Sequence, residues 1–235
     1  MSIKKAVIVA AGLSSRLYPL TLTQPKGLLP IAGTTLLARS ITLLRQQGIS
    51  QIAIVTGYKQ DLIKAALGDQ ITYLPNPFFS HCNNMGSLWF ARDFVGSDSF
   101  IYLHGDIIYD SVILEETLAH FDTGQDDLVL TTDFGPTDAE AMKVKTKGHF
   151  LIESSKEVAH ADGEWIGIAC CRDPVRLFSV IETTLSNDSL MYYDTDAFTK
   201  LAAYSKIYCI STNGARWVEI DFLKDYERAQ QLFGH

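Results

Sequence analysis

Strand-length apolar runs alternate with runs of helical period through the first half of the chain. KAVIVA, from Lys5 to Ala10, is a continuous apolar run of strand length. TTLLARSITLLRQQ, from Thr34 to Gln47, carries Leu36, Leu37, Ile41, Leu43 and Leu44 at helical spacing and stops at Gly48. QIAIVTG predicts a second strand, followed by a helix through Asp61 to Leu67, and ITYLP a third, short strand. GSLWFARDF then predicts one helix, SFIYLHG a strand and SVILEETLAHF another helix. Repeated strand–helix units imply an α/β fold, doubly wound, with a mostly parallel sheet covered by helices on both faces.

The second half changes character. DLVLTTDF, AMKVKTKG, HFLIESSK and EWIGIACC are strand-like, with KTKG as a hairpin turn. Helices are expected over Pro174 to Leu185 and Asp194 to Tyr204, then a strand KIYCIS, a short strand ARWVEID and a terminal helix FLKDYERAQQLF. No linker, repeat or low-complexity tract interrupts the chain. The expectation is a single domain over residues 1–235, with a small β-rich lobe inserted at about 133–205. Ligands of open α/β sheets bind beyond the carboxyl ends of the parallel strands. That rule selects the loops after KAVIVA and ITYLP and the HGD that follows SFIYL.

Composition narrows the function classes. The 235 residues are 47% hydrophobic and 20% charged, as in an ordinary globular protein. A net charge of −7 argues against a nucleic-acid or anionic-membrane partner, which needs a basic face. A small anionic ligand needs only a few local cations. No apolar stretch approaches the roughly 18 residues that a membrane span requires. The N-terminal apolar run leads into a Gly/Ser loop, so it reads as a first strand and not as a signal peptide. The four cysteines, Cys82, Cys170, Cys171 and Cys209, form no CxxC pair, and Cys170 and Cys171 would point to opposite faces of one strand. Reduced thiols and a cytoplasmic location are expected.

The candidate chemistry lies in the selected loops. Ala10, Ala11, Gly12, Leu13, Ser14 and Ser15 form a small-residue loop whose backbone N–H groups can cradle a triphosphate, and Arg16 adds a planar cationic fork. Lys26 follows in QPKGLLP, with Pro19 and Pro25 stiffening the segment between. The loop is neither a G-x-G-x-x-G dinucleotide fingerprint nor a G-K-[ST] Walker loop. Asp106 of His104-Gly105-Asp106 offers a hard oxygen ligand for Mg²⁺, the alternative being a turn residue that caps the next segment. In Glu219-Ile220-Asp221 both carboxylates share a face of an extended segment, so only tertiary placement decides which one coordinates.

AAGLSSRLYPLT, PKGLLPI and the following TLL together resemble the signature loop of the sugar-1-phosphate and phosphocholine nucleotidyltransferases. The resemblance runs from the first strand to the C-terminal EID. It is nearest to the small cytidylyltransferases that activate phosphocholine and related phospho- or phosphono-compounds. Ser14 departs from the glycine that the family often carries there, which demands a less permissive backbone. The resemblance implies a Rossmann-like nucleotidyltransferase fold, with Asp106 and Asp221 as the metal-binding aspartates. It places the segment containing Asn84, Gly86 and Ser87 along the nucleobase pocket, in a pattern nearer the CTP-using branch. An Asn-rich loop in which Ser87 caps the next helix is the alternative.

The resemblance also turns the inserted lobe towards the second substrate. Lys143 and Lys156 are candidates for its phosphate or phosphonate, Glu164 for a hydroxyl or amine, and Tyr192, Tyr193, Asp194 and Asp196 for framing the rest. Asp138 to Met142 contains no tryptophan to complete an aromatic cage, which counts against phosphocholine. The implied reaction is Mg²⁺-dependent transfer of CMP from CTP to a small phosphate or phosphonate, releasing pyrophosphate. Arg16 would stabilise the departing pyrophosphate, and Lys26 the α-phosphate and attacking oxygen. A nucleotide-sugar pyrophosphorylase using UTP or dTTP, and a catalytically silent nucleotide-binding regulatory domain, are the competing expectations. Amphiphilic helices along the chain are compatible with a homodimer.

Overall fold

The computed structural model describes residues 3–187 and 190–234. The chain begins with β1 (Lys5–Ala10), a hairpin of β2 (Pro30–Ile31) and β3 (Thr34–Thr35), and helix α1 (Leu36–Gln46). Next come β4 (Gln51–Thr56), α2 (Gln60–Leu67), β5 (Thr72–Pro75), α3 (Asn84–Trp89) and α4 (Arg92–Val95). The middle holds β6 (Phe100–His104), β7 (Ile107–Tyr109), α5 (Ser111–Thr123) and β8 (Leu128–Phe134). Strands β9 (Lys143–Lys147), β10 (Phe150–Ser155) and β11 (Gly163–Cys171) follow, then α6 (Pro174–Asn187) and α7 (Asp194–Ala202). The last elements are β12 (Ile207–Ser211), β13 (Trp217–Glu219) and α8 (Leu223–Phe233).

Nine strands form one mixed sheet in the order β5-β4-β1-β6-β11-β8-β12-β10-β9. Strands β5, β4, β1 and β6 are parallel, and helices connect them in the chain order β1, β4, β5, β6. The second half enters through β11, which is antiparallel to both β6 and β8. The β-rich segment therefore continues the main sheet, with the β9–β10 hairpin at its far edge turning on Gly148 (φ 65°). Tight hairpins return the chain antiparallel, whereas the first-half crossovers keep it parallel.

Period-two alternation sorts side chains to the two faces. Ala6 and Ile8 of β1, Ile101 and Leu103 of β6 and Cys170 of β11 pack with Leu37, Ile41 and Leu44 of α1 and Ile113 and Phe121 of α5. Val7, Val9, Phe100, Tyr102 and Cys171 face the other way, onto Met85 and Leu88 of α3, Phe178 and Ile181 of α6 and Phe198 of α7. Helix α1 starts at Thr35, whose side chain accepts the Ala38 N–H, and its C-terminal turn closes at Gly48 with φ 75°. A smaller core joins α8 to the β2–β3 hairpin and β13, where the Tyr226 hydroxyl donates to the Pro30 carbonyl at 2.6 Å.

GSLWFARDF is not one helix. The N–H groups of Phe90 and Ala91 bond three residues back, to Ser87 and Leu88, and α4 restarts at Arg92. The break lets Met85, Leu88 and Val95 all reach the same core. Strands β2, β3 and β7 are two or three residues long, too short to show a period in sequence.

Two junctions bring the selected loops together. Strands β1 and β6 are neighbours with Val9 opposite His104, so the loop after Ala10 and the Gly105-Asp106 turn leave the sheet side by side. Gly105 donates its N–H to the Val9 carbonyl at 2.8 Å. A Cβ at Gly105 would lie 2.8 Å from the Ala10 Cβ and 2.9 Å from the Val9 oxygen. A second ribbon pairs β13 with β7, Glu219 opposite Ile107, and carries Glu219 and Asp221 to the same place. Gly105→Ala is expected to lower stability by about 1–3 kcal/mol through overpacking. Denaturant unfolding checks this, and an unchanged midpoint would mean that the turn does not dock on β1.

Candidate functional site

The loop after β1 doubles back through a tight turn. Ser14 adopts the left-handed conformation, φ 53° and ψ 42°, and its carbonyl accepts the Leu17 N–H and the Thr21 hydroxyl. Thr21 is fully buried, so that hydrogen bond holds the serine in a conformation that costs an L-residue about 1–2 kcal/mol. A Cβ at Gly12 would meet no protein atom within 4 Å, so the backbone there faces open space. That space is a cavity of about 260 Å³ lined by Ala10, Ala11, Gly12, Ser14, Ser15, Arg16, Lys26, Asn83, Asn84, His104, Asp106, Lys156, Tyr193, Glu219 and Asp221, among others.

Charge pairs organise its floor. The Lys26 ammonium lies 2.8 Å from Asp106 and 2.9 Å from Asp221. Burial pulls its pKa down, but the two carboxylates outweigh that and hold it above the usual lysine range. Burial pushes the Asp106 carboxyl up, and Lys26 and His104 more than reverse the shift. Arg16 reaches Asp221 at 3.0 Å and Glu140 at 3.2 Å, and Lys156 reaches Glu140 at 2.9 Å. Glu219 is raised to about 8, first by burial and then by Asp106 and Asp221.

Asp106 Oδ1 is buried without a hydrogen-bond partner, and among the described residues His104, Asp106 and Glu219 offer ligand atoms within 4.8 Å of one another. An orphaned carboxylate oxygen beside further carboxylates suits a hard divalent cation. His104 is otherwise engaged: its Nε2 lies 2.8 Å from Asp194, and that carboxylate, overcoming the opposing effect of burial, raises its pKa to about 9.

The structure sorts the remaining candidates. Arg16, Lys26, Asn84, Asp106, Asp221, Lys156 and Tyr193 line the cavity with Ala10, Ala11, Gly12, Ser14 and Ser15. Leu13 is exposed and outside the lining. Gly86 backs onto a separate apolar cavity beside Cys82, and Ser87 is buried, its hydroxyl accepting from Asn76 at 3.0 Å. Lys143 donates to the Lys156 carbonyl at 2.6 Å, and Lys200 lies over the Tyr192 ring, so both candidates brace the walls. Asp194 is fully buried, its carboxylate occupied by Tyr102, His104 and the Thr195 N–H. Asp196 caps α7 by accepting the Tyr193 N–H. Glu164 lines a second cavity of about 510 Å³ that shares Glu140, Glu219 and Asp221 with the first. Sequence reasoning missed Glu140, an acidic residue in a polar stretch with no periodicity to mark it.

Two expectations follow. Lys26→Met leaves Asp106 and Asp221 without their shared cation and should cost about 3–5 kcal/mol. A divalent cation should then raise the melting temperature of the variant more than that of the parent, read by thermal shift with and without Mg²⁺. Glu164 is raised from 4.5 to about 7, first by burial and then by Asp138 and Asp133, against the opposing Arg228. Its folded form therefore holds a proton that the unfolded chain releases, and the chain loses stability as pH rises through that window. Glu164→Gln should remove this part of the pH dependence, so its advantage in melting temperature should grow from pH 4.5 to about 7.

Residues 6–207 match the model of the MobA-like NTP transferase domain. CMP-5′-(3-aminopropyl)phosphonate synthase of Streptomyces rubellomurinus is 34% identical over 120 residues, 49% of this chain and 19% of that protein. CTP:phosphoglutamine cytidylyltransferase of Campylobacter jejuni is 24% identical over 94% of this chain and 97% of its own. The solved inositol-1-phosphate CTP transferase from T. maritima superposes with a TM-score of 0.85 at 17% identity, covering 100% of this chain and 96% of that one, which shows the shared fold. Against three of the first four curated relatives, the chain spans only 19% to 51% of their length. None of the described helices is long and apolar enough to cross a membrane. The family match, with the cation-lined loop at the carboxyl ends of β1 and β6, makes this chain a nucleotidyltransferase of the MobA-like NTP transferase family.

Proposed function

We propose that the chain transfers CMP from CTP to a small phosphonate or phosphate monoester, releasing pyrophosphate. The observation that carries this reading is Lys26, held between Asp106 and Asp221 with Arg16 alongside, in a cavity that the small-residue loop after β1 lines. Both reactants are anions, so neutralising charge and aligning the attack are the main tasks, and the acceptor oxygen needs no activated side chain. Arg16 takes charge on the departing pyrophosphate, and Lys26 holds the α-phosphate against the incoming oxygen. Asp106 and Asp221 would hold Mg²⁺, with Glu219 beside them. When bound, the ion supplies Lewis-acid stabilisation to the phosphoryl oxygens.

CTP is favoured by Asn83 and Asn84, which line the nucleotide cavity, and by the cytidylyltransferases among the relatives. The second cavity is the acceptor's, because it meets the first at Glu140, Glu219 and Asp221. Asp133, Asp138 and Glu164 line it with Asp225, and Lys224 and Arg228 are the cations among its lining residues, so carboxylates outnumber cations there. An acceptor with a primary amine fits that wall, while Lys156 at the junction suits its anionic end. A sugar 1-phosphate with UTP or dTTP is the competing reading, supported by the Streptomyces griseus glucose-1-phosphate thymidylyltransferase, 32% identical over 70% of this chain. A silent nucleotide-binding domain is a third.

Pyrophosphate release with Mg²⁺, the four NTPs and dTTP, against amino-phosphonates, amino-alcohol phosphates, polyol phosphates and sugar 1-phosphates, separates these. CTP-dependent release with an amine-bearing acceptor is expected. Release only with UTP or dTTP and a sugar phosphate would overturn the CMP reading, and nucleotide binding without turnover would favour the silent domain. Lys26→Ala should lose about 10²–10³ in rate with the fold intact, and near-normal turnover would remove Lys26 from the mechanism.

A further inference from the structure

Glu140 lies on the segment between β8 and β9. The Asp138 carboxylate accepts the N–H of Glu140 at 2.8 Å and of Ala141 at 3.1 Å, and Ala141 is buried. The backbone is therefore fixed at the base of a side chain that is itself half exposed. That side chain lines both cavities. One oxygen, Oε2, accepts from Arg16 at 3.2 Å and from Lys156 at 2.9 Å. Three segments meet on that atom: the loop after β1, the 138–141 turn and the residue that follows β10.

Both cations have supports of their own. The Arg16 guanidinium lies 3.0 Å from Asp221 and 5.0 Å from the centre of the Phe222 ring, and the Lys156 ammonium 5.5 Å from the centre of the Tyr193 ring. Neither depends on Glu140 alone for its place beside the cavity. What Glu140 supplies is charge. Lys156 first, and then Arg16, hold its carboxyl below the usual glutamate range, so it is ionised at neutral pH. An ionised carboxylate oxygen between two cations stands where a phosphoryl oxygen would make the same contacts, and both cannot be there at once. Exposed ion pairs hold weakly, so an anion with several charges can take the place of this one.

We propose that Glu140 is an exchangeable counter-ion: it neutralises Arg16 and Lys156 in the ligand-free chain, yields them to a polyphosphate and takes them back when pyrophosphate leaves. Because the two cations share one oxygen, they are released together. This rests on the reading of the cavity as the nucleotide's, but the exchange itself needs only a polyphosphate. A carboxylate that merely positioned the two cations would have the opposite effect on affinity, since its removal would loosen them.

Calorimetric titration with tripolyphosphate reads the exchange without any turnover. It is made with Mg²⁺ held constant and at low ionic strength, where exposed charges are least screened. Glu140→Gln keeps the length of the side chain and removes its charge. Glu115→Gln makes the same change in net charge at an exposed residue of α5 that forms no ion pair among the described residues. Tripolyphosphate should bind Glu140→Gln about three- to ten-fold more tightly than the parent, and Glu115→Gln within about two-fold of it. In a Lys156→Met background Glu140→Gln should gain only about two-fold, because one of the two contacts is already gone. With the nucleotide that the parent uses, the inhibition constant of pyrophosphate should fall in Glu140→Gln by the same factor as the tripolyphosphate affinity rises.

Looser binding in Glu140→Gln would make the carboxylate a positioning group and overturn the proposal. So would equal affinity, a gain matched by Glu115→Gln, a full gain in the Lys156→Met background, or no binding to either protein. The expected tightening in a chain that turns over no nucleotide would sink the transfer reading alone. Unchanged affinity in a chain that does transfer a nucleotide would sink the exchange alone.

Discussion

Asp106 and Asp221 cannot sit ionised beside each other in a partly buried site without a cation between them. Lys26 is that cation in the ligand-free chain. The requirement ties together three segments from distant parts of the sequence: the loop after β1, the turn after β6 and the strand before α8. Each is placed by backbone pairing, β1 against β6 and β13 against β7, and the ion pairs then close the gap. The same arrangement gathers Arg16, Lys26 and Lys156 around one cavity in a protein whose net charge is −7. Arg16 and Lys156 are already paired with Asp221 and Glu140, so an incoming anion exchanges partners with existing carboxylates.

One continuous sheet has a consequence for the two cavities. Strands β8 to β12 extend the parallel half of the sheet through β11, and the larger cavity shares a wall with the one at the loop after β1. Glu140, Glu219 and Asp221 belong to both. The two cavities therefore meet across carboxylates, and Arg16, Lys26 and Lys156, which pair with Glu140 and Asp221, line the smaller of them.

The legible part of the site was the part carried by local sequence. Arg16 and Asp106 stand in short motifs that follow β1 and β6, where strand ends put them beside the cavity, and Lys26 stands in the QPKGLLP segment further along the loop after β1. Acceptor-side residues behaved differently. Lys143, Tyr192 and Asp194 are polar residues in plausible places, yet a carbonyl, a lysine and a buried His–Tyr pair respectively hold them in the walls. A polar residue advertises its chemistry in sequence but not its partner, and the partner decides whether that chemistry faces a substrate. Glu140 went unnoticed for the same reason, since its meaning lies in Arg16 and Lys156.

By itself the sequence determined the elements and their order. Apolar runs and helical periods set most of them to within a residue or two, because burial of one face imposes a period that can be read along the chain. It also determined that Cys170 and Cys171 point to opposite faces, a matter of strand geometry alone. Only the tertiary structure decided what depends on pairing between distant segments. That β11 runs antiparallel into the main sheet, that GSLWFARDF breaks into two helices, and that Asp221 pairs with Lys26 while Glu219 forms no ion pair among the described residues are all of this kind. The physical reason is common to all three: strand register, helix breaks and ion pairs are settled by contacts between residues far apart in the chain, and no local pattern encodes the distance between them.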